Sequence, residues 1–263
     1  MRQEIIPKID ISELINLGLQ SNKSNKIIKQ IKKACLNNGF FTVVGHGVPE
    51  DLINSILVLT KEFFNFSKTK KFKIASRKWN KKNSNIYRGY FPSFVNGKEG
   101  LDIGDPNLKS SMYKILRREK FECLNLKKVL NDESIHCINK YFDYLFDLGK
   151  LLFKSIVKSL EADPNITNKA FVRPKTLTTL RFNYYPKVKK PIEISKQDNE
   201  KLGCETHADS SIMTILYQDK KGGLQLQNRQ DLKWYNVPYK KNSFVVNTGL
   251  ALQYLTNDKI KAT

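Results

Sequence analysis

The chain has 263 residues and a formal net charge of +21, and 40% of its residues are hydrophobic, including 15 Phe and 11 Tyr. This apolar content is enough for a sizeable folded core, which argues against a disordered chain. No segment has the roughly 18 consecutive apolar residues of a membrane-spanning helix. Residues 1–7 lack the apolar core of a secretory signal. We therefore predict a soluble cytoplasmic protein with no membrane partner, whose oligomeric state is open.

The large positive charge makes a nucleic-acid-binding protein one alternative. However, Lys and Arg residues are spread along the whole chain, without a zinc-finger, helix-turn-helix or RNA-recognition pattern. Ile and Asn are also abundant, which indicates a compositional bias. We predict no specific nucleic-acid partner, although a weak, salt-sensitive attraction to polyanions is expected.

In the first half of the chain, the hydrophobic pattern predicts mainly helices. Alternating apolar residues over 5–11 predict a short strand, and residues 21–24 can cap a helix that stops near residue 38. Residues 40–44 predict a buried strand, and Pro49 opens another helix. Residues 68–130 have poor periodicity, which favours loops that could line a pocket.

The second half of the chain changes character after a long amphipathic helix predicted over residues 132–160. Beyond Pro174, short apolar segments alternate with turn residues, which is typical of a β-sandwich or barrel. The predicted strands are 177–185, 206–217, 224–228, 233–237, 243–247 and 250–255. We expect an N-terminal region over residues 1–125 and a domain over residues 126–263 that combines the long helix with the β-rich part, folded together.

The strongest chemical signal is the pair His207 and Asp209, at the start of the predicted strand 206–217. Alternate residues of a strand point to the same face, so the imidazole and the carboxylate could reach one metal ion. Such a pair beside open positions suits non-haem Fe(II), whose usual site has two His and one carboxylate. No His follows His207 in the sequence, and a chance His-x-Asp pair is the alternative reading. Cys204 lies close to the pair and is a weaker candidate for the same site.

Several further motifs occur along nearly the whole chain. They are the GFF-type segment Gly39–Val48, Tyr87-Arg88-Gly89-Tyr90, Asn183-Tyr184-Tyr185-Pro186, Thr206-His207-Ala208-Asp209, Gly222–Leu226 and Asn247-Thr248-Gly249. In this order they resemble the isopenicillin N synthase-like branch of the Fe(II)/2-oxoglutarate-dependent dioxygenases.

The resemblance implies an α+β, mainly β protein with a helical N-terminal region and a double-stranded β-helix (jelly roll) that holds Fe(II) in its open mouth. It implies His207 and Asp209 as iron ligands, and Asn183 and Tyr185 on the 2-oxoglutarate or substrate side. The expected function is an Fe(II)-dependent oxygenase, which uses O2 and 2-oxoglutarate to oxidise a small-molecule substrate. Isopenicillin N synthase itself needs no keto acid, so use of 2-oxoglutarate stays open at this point.

Four other residues have weaker expectations. Arg88 and Tyr90 are candidates for contacting the substrate, although both could simply be solvated. In the family the histidine at the position of His46 is structural, and we expect the same here. Arg181 is expected to make a structural ion pair.

The resemblance also predicts what lies beyond the sequence. In relatives, a segment similar to Thr256–Thr263 precedes the second iron histidine, which would lie about two positions after Thr263. An Arg-x-Ser pair that grips the carboxylate of 2-oxoglutarate would follow later. We therefore expect a fragment whose last barrel strands are missing, which binds iron weakly and turns over little. The alternative is a truncated, non-catalytic homologue that acts as a ligand-binding or interaction protein.

Overall fold

The computed structural model describes residues 5–92, 97–108, 112, 122, 124–186, 193–194 and 201–263. The helices are α1 Ser12–Leu17, α2 Asn22–Asn37, α3 Glu50–Asn65, α4 Lys68–Phe72, α5 Asp132–Ser159, α6 Asn165–Ala170 and α7 Leu250–Leu255, with a 3-10 turn at Leu126–Lys128. The strands are β1 Lys8–Asp10, β2 Phe40–Val44, β3 Gly89–Phe91, β4 Glu99–Ile103, β5 Leu180–Tyr184, β6 Glu193–Ile194, β7 Lys201–Leu202, β8 Met213–Leu216, β9 Gln225–Gln227, β10 Trp234–Asn236 and β11 Phe244–Thr248.

The chain forms two units, each built from separate stretches of sequence. The first contains Met1–Val48, Leu145–Lys169 and His207–Thr263, and the second contains Pro49–Tyr144 and Ala170–Thr206. The boundary predicted between residues 125 and 126 stays a prediction. Within the described ranges, no helix has both the length and the apolar character needed to cross a membrane.

The first unit contains a mixed four-stranded sheet with the order β1-β2-β11-β8. Strand β1 runs parallel to β2, and β11 runs antiparallel to both of its neighbours. Strand β11 is buried along its whole length, as expected for a central strand covered on both faces. Phe40 of β2 lies opposite Asn247 of β11, so strands from the N-terminal and C-terminal parts of the sequence pair in one sheet.

A hydrophobic cluster joins this sheet to the β9–β10 hairpin of the same unit. Leu226 and Val237 from the hairpin region pack with Ile6, Phe40 and Val245, and all five are buried. Burying side chains of this size stabilises a fold by about 1.5–3 kcal/mol each. The cluster therefore ties the N-terminal residues to the β-rich C-terminal part.

Helix α2 confirms the predicted capping. The Ser21 side chain accepts a hydrogen bond from the backbone N–H of Ser24 at 3.0 Å, an interaction worth about 1 kcal/mol. Ile27 and Ile31 lie on its buried face, one turn apart. The helix ends at Asn37, where the Arg229 guanidinium donates to the last carbonyl at 2.7 Å.

The second unit contains an antiparallel sheet with the order β3-β4-β5. The expected ion pair of Arg181 is confirmed, since its guanidinium makes two bonds of 2.6 Å to Asp102 on the neighbouring strand. Such bidentate pairs are among the stronger side-chain contacts. Tyr184 stacks on Phe64 of α3 at 5.3 Å between ring centroids.

Three sequence predictions differ from the structure. Residues 68–130 contain α4, β3 and β4 rather than loops alone. Only Met213–Leu216 of the predicted strand 206–217 is a strand. Leu250–Leu255 is a helix instead of a strand. The last case involves a short apolar segment, for which helix and strand cannot be separated by periodicity.

Candidate metal site

His207 and Asp209 lie in an irregular segment that precedes β8, not on a strand as predicted. Their side chains nevertheless converge, with 3.5 Å between His207 Nε2 and Asp209 Oδ1. The imidazole is 56% exposed and the carboxylate 31% exposed. The convergence therefore comes from the path of the loop, and strand alternation does not explain it.

The Asp209 carboxylate is oriented by two side chains from paired strands. Thr214 Oγ1 and Asn247 Nδ2 both donate to Asp209 Oδ2, the latter at 2.9 Å. Asn247 of β11 lies directly opposite Thr214 of β8 in the sheet register. Two neighbouring strands thus hold one oxygen, while the other oxygen faces His207. This role of Thr214 was not predicted from the sequence, in which the residue stands out only by its position in an alternating strand.

The backbone of the same loop is held by the start of α7. The N–H of Leu250 donates to the carbonyl of Asp209 at 2.7 Å, and the N–H of Ala251 donates to the carbonyl of Ser211 at 3.2 Å. Gly249 permits this approach, because a Cβ atom there would lie 2.1 Å from the Ser211 oxygen. The Asn-Thr-Gly motif therefore supports the loop with both a side chain and a close backbone contact.

The donor set fits one part of a non-haem iron site. An imidazole nitrogen and a carboxylate oxygen are two of the three ligands of the usual facial arrangement, and the bonded second oxygen of Asp209 provides outer support of the kind that metal ligands need. Within the ranges that the structure describes, no group of three or more His, Cys, Asp or Glu side chains is placed to hold a metal ion. The described residues thus contain two candidate ligands, His207 and Asp209.

Asn183 and Tyr185, predicted to bind the cosubstrate, belong to the second unit. Asn183 lies on β5, and Tyr185 follows directly after that strand. Partial burial raises the pKa of the Tyr185 hydroxyl, and the nearby Lys98 ammonium opposes this rise. Asn183 is exposed and Tyr185 is 53% exposed, which leaves part of each residue accessible to a ligand.

The structure gives Arg88 and Tyr90 intramolecular partners. The Arg88 side chain is fully buried, and its guanidinium pairs with Glu122 at 2.8 Å and donates to two backbone carbonyls, those of Leu177 and Thr178. The Tyr90 hydroxyl donates to Glu99 at 2.8 Å. Their substrate role stays a prediction, and the described contacts are of the kind that structural residues make.

His46 has the structural role expected for it. The side chain is buried, the backbone N–H of Val48 donates to its Nδ1 at 3.1 Å, and Nε2 lies 3.2 Å from the carbonyl of Asn242. Since Nδ1 accepts, Nε2 carries the proton and donates, so the ring is neutral. Burial lowers the pKa of this imidazole.

Known proteins resemble this chain over nearly its full length. Residues 6–131 match the family described as non-haem dioxygenase in morphine synthesis N-terminal, and residues 177–263 match the 2OG-Fe(II) oxygenase superfamily. A protein of Dictyostelium discoideum named as a probable iron/ascorbate oxidoreductase is 30% identical, over 99% of this chain and 76% of its own length. Isopenicillin N synthase of Amycolatopsis lactamdurans is 27% identical, over 96% of this chain and 77% of its own length.

Solved structures show the same fold. A full-length Neurospora crassa protein in complex with alpha-KG has a TM-score of 0.78 and 23% identity, covering 100% of this chain and 80% of that chain. A putative 2OG-Fe(II) oxygenase family protein from Caulobacter crescentus has a TM-score of 0.76 and 18% identity, covering 99% and 79%. The fold is the α+β jelly roll with a helical N-terminal region. The chain belongs to the isopenicillin N synthase-like branch of the Fe(II)/2-oxoglutarate-dependent dioxygenase family.

Proposed function

We propose that this protein is an Fe(II)-dependent oxygenase that consumes 2-oxoglutarate and oxidises a small-molecule substrate, with His207 and Asp209 as two of its iron ligands. Fe(II), 2-oxoglutarate and O2 are the cofactor and cosubstrates of the family. The observation that carries the proposal is the 3.5 Å approach of His207 Nε2 to Asp209 Oδ1.

The contacts of Asp209 and the residue types of His207 and Asn183 support the roles proposed for them. When bound, iron and 2-oxoglutarate supply the oxidising chemistry. His207 would hold the metal through its imidazole and Asp209 through Oδ1, while Thr214 and Asn247 keep the other oxygen of Asp209 in place. Asn183 contributes an amide group, which can donate hydrogen bonds to a carboxylate of the keto acid or the substrate.

The names of the relatives support only a broad substrate class. They include isopenicillin N synthase, a gibberellin 20 oxidase and a deacetoxyvindoline 4-hydroxylase. These names cover unrelated small molecules, so the proposal is limited to a small organic substrate. The cytoplasmic location and the absence of a specific nucleic-acid partner stay predictions from the sequence.

A metal titration tests the ligand assignment. Anaerobic Fe(II), or Mn²⁺ as a spectroscopic substitute, is titrated into the full chain and into His207→Ala and Asp209→Ala. The matched controls are His136→Ala and Asp147→Asn, which change exposed residues of α5. We expect the affinity to fall at least about 10-fold in both site variants and to stay unchanged in both controls.

Two results would contradict the proposal. One is wild-type affinity in His207→Ala and Asp209→Ala, because the metal would then bind elsewhere. The other is the absence of a 2-oxoglutarate-dependent absorbance change when the keto acid is added anaerobically to the Fe(II)-loaded protein. In that experiment Asn183→Ala and Tyr185→Phe test the cosubstrate assignment, since either change is expected to weaken binding of 2-oxoglutarate.

A further inference from the structure

A lysine and a cysteine meet in the second unit. Lys98 lies immediately before β4, and Cys204 follows β7 after one residue. The Lys98 ammonium donates to Cys204 Sγ at 3.2 Å. Cys204 is a free, half-buried thiol, and the Lys98 residue is only 9% exposed. The chain therefore holds a primary amine against a thiol in a sheltered position.

The partners of the Lys98 ammonium are the Cys204 sulfur and the Tyr185 side chain, whose hydroxyl lies within hydrogen-bonding reach. Among the carboxylates in the described ranges, none pairs with it, and sulfur is a weak hydrogen-bond acceptor. The Tyr185 ring, whose centroid is 6.0 Å from Nζ, provides a distant cation–π contact. Neither partner is a carboxylate, so the buried cation has no full counter-charge beside it.

Gly203 brings the cysteine into this position. A Cβ atom on Gly203 would lie 3.0 Å from the Tyr185 ring, so a larger residue would push the chain away from the ring. The glycine keeps Cys204 close to Lys98, and the amine and the thiol are thereby held within reach of one bridging atom.

We propose that dioxygen converts this pair into a covalent Nζ–O–Sγ bridge. After the Lys98 ammonium has released one proton to solvent, the amine and the thiol each lose one hydrogen, one oxygen atom of O2 bonds to both Nζ and Sγ, and the other leaves as water with the two hydrogens. The N–H, S–H and O–O bonds break, nitrogen and sulfur are oxidised, and O2 is reduced. Thiols are known to undergo stepwise and reversible oxidation. The bridge does not depend on the proposed function.

Peptide mapping tests this directly in the full chain. Protein purified in air is compared with protein purified without oxygen in the presence of a thiol reductant, and both are digested with trypsin. Because modified Lys98 resists cleavage, we expect residues 89–109 to be joined to residues 202–220, with a gain of one oxygen and a loss of two hydrogens, about +14 Da. Treatment with reductant should release the two peptides.

Variants of the two residues and the mass of the joined peptide show whether the oxygen bridge forms. Cys204→Ser keeps a polar side chain and Lys98→Arg keeps the positive charge, but each change should abolish the joined peptide. The control Cys137→Ser should retain the joined peptide. Sulfinic acid on Cys204 together with normal cleavage at Lys98 would overturn the proposal. A joined peptide about 2 Da lighter than its parts would show a direct S–N bond and would exclude the oxygen bridge.

Discussion

At the scale of single residues, the candidate metal site depends on which oxygen of Asp209 is held by the protein. Thr214 and Asn247 both donate to Oδ2, and Oδ1 faces His207. Outer hydrogen bonds of this kind fix the orientation of a ligand before the metal binds. The two neighbours are therefore expected to affect metal affinity without touching the metal.

Thr214→Val removes one of these donors and keeps the side-chain shape. We expect the affinity for Fe(II) or Mn²⁺ to fall about 10- to 100-fold, the range found for outer partners of metal ligands. The measurement is an anaerobic titration, with Thr69→Val on the exposed side of α4 as the control. An unchanged affinity in Thr214→Val would show that the hydrogen bond does not orient Asp209.

His46 predicts a pH dependence of stability. Burial lowers its pKa, so the folded protein disfavours the protonated ring relative to the unfolded chain. Its contribution is present above the ordinary value of about 6.5 and is lost as the pH falls below that value. We expect the Tm of the wild type to fall more between about pH 7 and pH 5 than the Tm of His46→Asn.

The asparagine keeps an acceptor near the Val48 N–H but cannot be protonated in this range. His136→Asn, on the exposed surface of α5, is the control and should retain the pH dependence of the wild type. Equal pH dependence in the wild type and His46→Asn would refute the assignment to His46.

At the scale of elements, the loop with the two predicted ligands is held by the start of α7. Leu, Ala and Gln in residues 250–255 are good helix formers, and the loop caps the N-terminus of their helix. Gly249 and Leu250 donate their backbone N–H groups to the carbonyls of Ile212 and Asp209 at 3.1 and 2.7 Å. The helix N-terminus leaves these donors free of intrahelical partners, and the loop carbonyls satisfy them.

Gly249→Ala should disturb this contact, because its Cβ would overlap the Ser211 oxygen at 2.1 Å. We expect the free energy of unfolding to fall by about 1–3 kcal/mol, as in other overpacked sites, together with a loss of metal affinity. The control is Gly222→Ala, where the backbone φ is +66° and no atom lies within 4 Å. That change should lower stability through strain alone and leave metal affinity unchanged. Wild-type metal affinity in Gly249→Ala would contradict the proposed support of the loop.

At the scale of the whole molecule, distant segments are joined by strand pairing in the first unit and by buried charge in the second. Residues Phe40–Val43 of β2 pair with residues Phe244–Asn247 of β11. In the second unit, Arg88, which directly precedes β3, contacts Glu122 and the carbonyls of Leu177 and Thr178 before β5. Contacts between such distant segments cannot be read from local patterns, since they depend on the path of the chain between them.

Arg88→Met tests the structural role of the buried pair. Removing one partner leaves Glu122 without its guanidinium, and breaking a buried ion pair typically costs about 3–5 kcal/mol. We expect the free energy of unfolding, measured by chemical denaturation, to fall by this amount. The control Arg77→Met, at an exposed position, should lower it by less than about 0.5 kcal/mol. Full stability in Arg88→Met, with weaker substrate binding, would instead favour the predicted substrate role.

The sequence alone was sufficient for the family, the order of its motifs and the elements with strong local patterns. Strand Phe40–Val44, the helices Asn22–Asn37 and Asp132–Ser159, and the start of helix Glu50–Asn65 were predicted to within a few residues, because long periodic segments with caps depend mainly on neighbouring residues. His207 and Asp209 were identified from residue type and spacing.

Tertiary structure decided how those two residues meet and what supports them. The loop path brings the imidazole to the carboxylate, the β8–β11 register places Thr214 and Asn247 on the same oxygen, and the carbonyls of that loop cap the start of helix Leu250–Leu255. It also buried Arg88 and placed Lys98 against Cys204. Each of these features depends on contacts between residues that are far apart in sequence. A local sequence pattern does not reveal such contacts, and their free energy can exceed local helix or strand propensity.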